Sequence, residues 1–186
     1  STQYNLSLTY NKEEGIMRLS DFDRKIANFK FDHTFSPKLK VGFATRYNNT
    51  VVNGAGTSNP GSSGTNRLRQ AIKYKPILRP DQDILDYDPD YALETNSNSL
   101  ALINPILLNE AEYRKDLSDV LDLTGYINLN INRYLSFKST LGYDLNNRDQ
   151  RSFDDSITSN AKQVSAGLPL ASITTTKTFS LTNSNV

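Results

Sequence analysis

The stretch Ile26–Asn48, IANFKFDHTFSPKLKVGFATRYN, decides the reading of this chain. Ala27, Phe29, Phe31, His33 and Phe35 occupy alternate positions, with Asn28, Lys30, Asp32 and Thr34 between them. After Ser36-Pro37-Lys38 the alternation resumes, Leu39, Val41, Phe43, Thr45 and Tyr47 against Lys40, Gly42, Ala44, Arg46 and Asn48. Successive side chains of a strand point to opposite faces, so each run has one apolar and one polar side. Two such runs joined by a tight turn predict an antiparallel hairpin.

The same pattern recurs outward from this hairpin. Upstream, Tyr4, Leu6, Leu8 and Tyr10 alternate with polar residues within Gln3–Lys12. Downstream, Leu121, Leu123, Gly125, Ile127, Leu129 and Ile131 oppose Asp122, Thr124, Tyr126, Asn128 and Asn130. Past Asn132-Arg133-Tyr134, Leu135, Phe137, Ser139, Leu141, Tyr143 and Leu145 form a fifth apolar face. A weaker sixth strand is expected over 172–182, with Ile173, Thr175, Phe179 and Leu181 on one face and Lys177 interrupting it. The first five apolar faces carry no Asp, Glu, Lys or Arg, whereas the opposite faces carry Lys30, Asp32, Lys40, Arg46, Asp122, Lys138 and Asp144.

The connections are unequal. A medium loop (12–23) and a tight turn (36–38) precede a long excursion (50–118); a second tight turn (132–134) precedes a second long loop (147–170). In a meander, successive connections lie at opposite ends of the sheet, so the tight turns share one rim and the long loops the other. Outer-membrane barrels are built this way. A structureless loop of roughly seventy residues is out of place in a compact soluble domain. Ten residues rise ~33 Å along a strand, and a tilt of ~40° brings that to ~25 Å, the height of a barrel's lipid-facing band. Tyr4, Tyr10, Phe35, Tyr47 and Tyr143 are expected near strand ends, where aromatic rings sit at the lipid–water boundary. Six strands alone leave two open edges, which hydrocarbon does not tolerate. The expected fold is therefore all-β: an antiparallel up-and-down meander over 1–186, a sector of a large transmembrane β-barrel whose long extracellular loops contain short helices. The rival is a soluble β-sandwich binding module for carbohydrate, whose strands also alternate.

Composition narrows the function classes. The chain has 186 residues, 21 Lys plus Arg against 20 Asp plus Glu, one His, one Met, and neither Cys nor Trp. Net charge +1 leaves no electrostatic footprint for nucleic acid. Without Cys there is no disulfide framework, thiolate metal site or Cys nucleophile. No run approaches the ~20 apolar residues of a membrane helix. The chain opens on STQYNLSLTY, already a strand, and reads as a mature or internal piece of something longer.

The long excursion begins with a Gly/Ser/Asn run over 50–65. A helix is expected over 66–75, with Thr65 as N-cap and Pro76 as stop, and a second over 104–115, with Pro105 in its first turn and Glu110 four residues before Arg114. Between them Asp81, Asp83, Asp86, Asp88 and Asp90 crowd together. Carboxylates are the ligand type for Ca²⁺, but the spacing is not that of an EF-hand, and a solvated acidic loop is the preferred reading. No metal, cofactor or catalytic residue is expected. His33 and Asp32 point to opposite faces, GAGTSNPG lacks the Gly-Lys-Ser/Thr of a phosphate loop, and the Asp-rich loop offers a hydrolase no discriminating pair. The chain is thus expected not to be an enzyme. Arg67, Arg69, Tyr74, Tyr87 and Tyr91 are the candidate ligand- or partner-contacting residues, as basic and stacking side chains on the long loop.

The runs QYNLSLTYNKEEGI, SDFDRKIANFKFDHTFSPKLKVGFATRYN, NPILLNEAEYRKD and LDLTGYINLNINRYLSFKSTLGYDLNN, in this order and spacing, resemble the barrel region of SusC/RagA-type TonB-linked outer-membrane transporters. The closing RSFDDSITSNAKQVSAGLPLASITTTKTFSLTNSN continues the likeness. The resemblance implies a barrel of about 22 strands with a plug and a TonB-contacting segment outside these residues. It also implies a SusD-type surface lipoprotein as partner, import of oligosaccharides or peptides, and residence in the outer membrane of a Gram-negative bacterium. The family has no short ligand motif, so the resemblance assigns no binding residue.

Overall fold

The computed structural model describes residues 1–54, 71–72 and 104–186. The six expected strands form one antiparallel sheet whose spatial order follows chain order. They are β1 (Thr2–Glu14), β2 (Asp21–Ser36), β3 (Leu39–Asn53), β4 (Glu112–Asn130), β5 (Ser136–Asp154) and β6 (Leu170–Asn185). Helix α1 (Pro105–Ala111) leads into β4, and α2 (Ser159–Val164) lies between β5 and β6. Of the helix expected over 66–75, the described residues Ala71 and Ile72 are helical and exposed. The Gly/Ser run, the Asp-rich segment and the rest of that helix lie outside the described residues.

Both tight turns are built by a side chain that accepts backbone hydrogen bonds. Ser36 Oγ accepts from the N–H groups of Lys38 and Leu39, each at 3.2 Å, while Pro37 fixes its own φ. Asn132 Oδ1 accepts from Tyr134 N at 2.8 Å and Leu135 N at 2.9 Å. A register shift between Thr34 and Ser36 leaves Phe35 without a partner, as in a bulge.

The register aligns the apolar positions into rows across the sheet. Tyr4, Phe31, Phe43, Gly125 and Leu141 stand in one row, which ends on β6 in the polar Asn183. Leu6, Phe29, Thr45, Leu123, Tyr143 and Leu181 make the next, and Leu8, Ala27, Tyr47, Leu121, Leu145 and Phe179 the one above. The following row is polar throughout: Tyr10, Lys25, Asn49, Asp119, Asn147 and Lys177. Lys177 therefore marks the upper border of the apolar band and does not interrupt it. Tyr4 and Tyr143, expected at strand ends, sit inside the band instead; chain order placed them near ends that the register does not. From the row of Leu39 to the row of Tyr47 the strand rises ~26 Å, and Ile131 and Leu135 add one more row below, giving ~25 Å of height at a tilt of ~40°.

The strands outrun the band. β4 and β5 have 19 residues each. The excursion expected over 50–118 therefore covers 54–111, the loop over 147–170 shrinks to 155–169, and that over 12–23 to 15–20. Above the polar row both faces mix apolar and polar residues, Val51 and Leu117 beside Asp23 on one and Phe22 and Val52 beside Asp116 on the other, so alternation vanishes from the sequence while the hydrogen-bonded ladder continues. The helix expected over 104–115 ends at Ala111 for the same reason. Tyr113, Arg114 and Lys115 pair with Phe153, Ser152 and Arg151. The expected Glu110–Arg114 pair is replaced by two others: Glu110 meets Arg18 at 3.2 Å and Arg114 meets Asp154 at 2.5 Å.

Among the described residues, neither face of the sheet holds a core. Among the described residues the buried side chains are Leu108, Ala111, Ala161, Asn104, Asn109, Asp154 and Thr158, all at the rim where α1 and α2 meet the strand ends.

Candidate functional site

Three surfaces carry the chemistry. The first is the apolar band, which is open to its surroundings: Leu8 is 73% exposed, Ile127 51%, Leu141 52% and Leu181 66%. Six strands in a single sheet provide no second layer to cover it, so the sealed interior of a sandwich is not formed among the described residues. At the upper border the aromatic hydroxyls reach upward, that of Tyr47 into the polar row and that of Tyr10, itself in that row, to the row above. Tyr47 Oη donates to Asp119 Oδ1 at 2.8 Å, and Tyr10 Oη donates to Asp23 Oδ2 at 3.0 Å. A ring on apolar surface with its hydroxyl among carboxylates suits a boundary between oil and water. His33 lies on this face at the lower end, stacked with Phe31 and edge-on to Phe35 at 4.3 Å, with Nδ1 2.7 Å from Thr2 Oγ1. Asp32 points to the other face, so no catalytic pair forms.

The second surface is the polar face. Arg24 Nε donates to Asn48 Oδ1 at 3.1 Å. Arg46, Asp122 and Asp144 stand in one register row. Toward the tight turns, Tyr126 donates its phenolic hydrogen to Asp32 Oδ1, and Lys30 Nζ lies 3.5 Å from Asp32 Oδ2. Toward the long loops, above the polar row, Arg148 Nε donates to Asp116 Oδ1 at 3.0 Å and Gln150 donates to Asp116 Oδ2 at 3.3 Å. The hydrogen bond from Arg148, then its charge, hold the Asp116 carboxyl below the usual carboxylate range against the opposing effect of burial.

The third surface is the long-loop rim. Asn104 caps α1, its Oδ1 accepting from Ile106 N at 2.9 Å, with Pro105 opening the helix. Arg114 donates to the carbonyls of Tyr113 and Phe153, each at 2.9 Å, and to Asp154 Oδ1. Asp154, 1% exposed, also accepts from Asn160 Nδ2 at 2.8 Å. Asp155 N donates to Ala111 O at 2.9 Å, and Gly54 N donates to Arg114 O at 2.9 Å. Gly54 has φ +86°, and a Cβ there would stand 2.4 Å from Ser20 Oγ, so only glycine lets the end of β3 pass the β1–β2 loop. The rim is thus braced where β3 ends and β4 begins.

The five candidate contact residues, Arg67, Arg69, Tyr74, Tyr87 and Tyr91, lie outside the described residues. The sequence reading did not single out Arg114, Asp154, Tyr126, or Lys40 and Lys138, whose Nζ atoms lie 5.9 and 5.8 Å from the centre of the Tyr126 ring, as a site. One signal was available: Gly42 in β3 faces Tyr126 in β4, and a glycine beside a cross-strand aromatic is a recurring way to cover backbone.

These features define a section of a β wall: continuous register, an exposed apolar band, a polar reverse face and loops braced at one rim. No family profile and no curated protein matches the sequence. Among solved structures, one described as the RagAB peptide transporter matches with a TM-score of 0.58 at 18% identity, over 83% of this chain and 17% of that chain. At this identity the likeness is one of fold. The chain spans less than a fifth of the length of the protein it matches.

Proposed function

We propose that this chain is a sector of the barrel wall of a TonB-dependent active transporter of the SusC/RagA type, in the outer membrane of a Gram-negative bacterium. One observation carries the reading: a single open sheet presents an uncovered apolar band ~25 Å high, the height of an outer-membrane barrel's lipid-facing surface. In water such a face and two free edges invite aggregation. Against hydrocarbon, with further strands paired to β1 and β6, both features become compatible with a stable protein. The sandwich module is disfavoured because all six strands are used in one layer.

On this reading the polar face lines a wet lumen suited to hydrated cargo, oligosaccharide or peptide. The transporter whose fold this chain shares is described as one for peptides, which supports that half of the cargo class. The braced long-loop rim faces outward and receives a SusD-type lipoprotein or the cargo, through 55–103 and its Arg67, Arg69, Tyr74, Tyr87 and Tyr91. TonB acts through parts of the protein outside these residues. The sector itself is not an enzyme and holds no cofactor.

Fractionation and uptake test the proposal with the full-length protein. It should pellet with the outer membrane and leave it only in detergent. Import of a labelled peptide or oligosaccharide should stop when a protonophore collapses the inner-membrane gradient. A protein that stays soluble without detergent contradicts the wall reading; membrane residence with gradient-independent uptake contradicts the TonB part alone.

A further inference from the structure

The tight-turn rim carries a charge imbalance that wall-building does not require. From the row of Lys30 down to the turns, the charged side chains among the described residues are Lys30, Lys38, Lys40, Arg133 and Lys138 against Asp32 alone. That one acid is already engaged by the Tyr126 hydroxyl and by Lys30 Nζ at 3.5 Å. Arg133 pairs with no carboxylate among the described residues; its guanidinium lies 4.6 Å from the centre of the Tyr134 ring. A guanidinium laid over a ring keeps the edge of its planar fork free, and that fork matches the oxygens of a phosphate.

The turn that presents this pair is held on both sides. Ile131 N and Asn132 N donate to Leu135 O at 3.0 and 3.2 Å, and Asn132 Oδ1 accepts from Tyr134 N and Leu135 N. Tyr134 is 81% exposed, and its neighbours Ile131 and Leu135 are exposed as the last row of the apolar band. Arg133 lies two residues beyond that row, ~5 Å further along the membrane normal at ~3.3 Å per residue and a tilt of ~40°. The polar interfacial layer of a bilayer is ~5–7 Å deep on each side of the hydrocarbon. Guanidinium and ring therefore stand at the level of lipid phosphates.

We infer, on the strength of the wall reading, that Arg133 laid on Tyr134 binds the headgroup phosphate of an anionic phospholipid in the leaflet that the tight turns meet. Continuity with the band selects a lipid over a free phosphate, since chains of the same molecule cover Ile131 and Leu135. The surplus of cations selects a headgroup of net negative charge over a zwitterionic one. Lys40 and Lys138, on the polar face, contribute through their field, which reaches ~10 Å at 0.1 M salt. Tyr134 supplies the amphipathic ring that suits this layer.

The test reads lipid at the site itself. Full-length protein freed of other cysteines carries a bimane fluorophore at Phe137→Cys, one row above Leu135, or at Leu145→Cys, near the opposite border of the band. Each is folded into phosphatidylcholine vesicles that contain either phosphatidylcholine or phosphatidylglycerol with a nitroxide on its acyl chain. Quenching at 137 should show phosphatidylglycerol preferred about 3- to 5-fold, the effect of one cation at a membrane surface. Arg133→Gln should remove most of that preference, and raising salt should weaken it. Arg133→Lys keeps the charge and should retain the larger part, which shows that the loss in the Gln variant is not misfolding. Neither substitution should change the ratio at 145. Absence of quenching by either lipid at both positions contradicts the wall reading itself. Equal quenching by the two lipids at 137 with Arg133 in place, or a preference that Arg133→Gln leaves intact, overturns the inference while the wall stands.

Discussion

Replacing Leu141 by Arg probes the apolar band where it matters most. Leu141 stands in the row of Tyr4, Phe31, Phe43 and Gly125, inside the band, and is 52% exposed in the sheet. A cationic side chain on the lipid face of a barrel near the bilayer midplane costs about 2–4 kcal/mol, falling to about 0–1 near the interfaces. At 1.4 kcal/mol per decade, Leu141→Arg should lower the folded-to-unfolded ratio in a bilayer about 30- to 700-fold. Two controls share its chemistry. Thr140→Arg, one residue away on the polar face, should change stability by no more than about 0.5 kcal/mol. Ile173→Arg lies on the same face but above the row of Lys177, and should cost at most about 1 kcal/mol. The assay is urea-dependent folding of the full-length protein into lipid vesicles, read by protease resistance. Equal losses at 140 and 141 would refute the two-faced wall, and a loss at 173 as large as that at 141 would refute the depth assigned to the band.

Three further outcomes test the details. Arg114→Ala strands the nearly buried Asp154 carboxylate without its cation and should cost about 3–5 kcal/mol locally; limited proteolysis should then cut first within 104–111 and 155–169, and an unchanged cleavage pattern would contradict the bracing. Gly42→Val must displace Tyr126 and should destabilise by about 1–3 kcal/mol; adding Tyr126→Ala should recover part of that, with a coupling above about 0.5 kcal/mol in a double-mutant cycle, whereas strict additivity would show that the two residues do not meet. Asp116 keeps its charged form more readily folded than unfolded, so the Arg148 pair contributes fully above the ordinary carboxylate pKa of ~3.9 and its contribution is lost as pH falls through the depressed folded value. Both groups are partly exposed, so the difference in urea stability between wild type and Asp116→Asn should stay under about 1 kcal/mol at pH 6 and shrink in acid; a difference that grows in acid would contradict the pairing.

What the sequence made legible was the part of the sheet with unlike faces. From Leu39 to Tyr47 and from Leu121 to Leu129 the alternation is strict, and strand, register face and turn all follow from it. Legibility failed where that contrast ends. Thr50, Val51, Val52 and Asn53 pair in register with Ser118, Leu117, Asp116 and Lys115, yet their mixed polarity on both sides reads as loop. Lys177 looked like a fault because a chain pattern carries no height; only its row with Lys25 and Asp119 shows that it marks a border. Glu110 and Arg114 satisfied a helix spacing rule, but the ladder to β5 outweighed it and gave each a partner distant in sequence. The lysines about Tyr126 come from three strands, and one-dimensional spacing does not reveal such a cluster.

The central claim is that one face of these strands meets hydrocarbon and the other meets water. This chain has no cysteine, so once any cysteine elsewhere in the full-length protein is replaced by serine, spin labels can be attached through single substitutions such as Leu141→Cys and Thr140→Cys, taken one at a time along β5 from 137 to 151 in the full-length protein in vesicles. Relaxation by dissolved oxygen should exceed that by a water-soluble nickel complex at Phe137, Leu141, Tyr143 and Leu145, reverse at Lys138, Thr140 and Asp144, and lose its alternation from Asn147 onward. Preference for the nickel complex at both 140 and 141, or an alternation that runs unchanged through 151, would contradict the account.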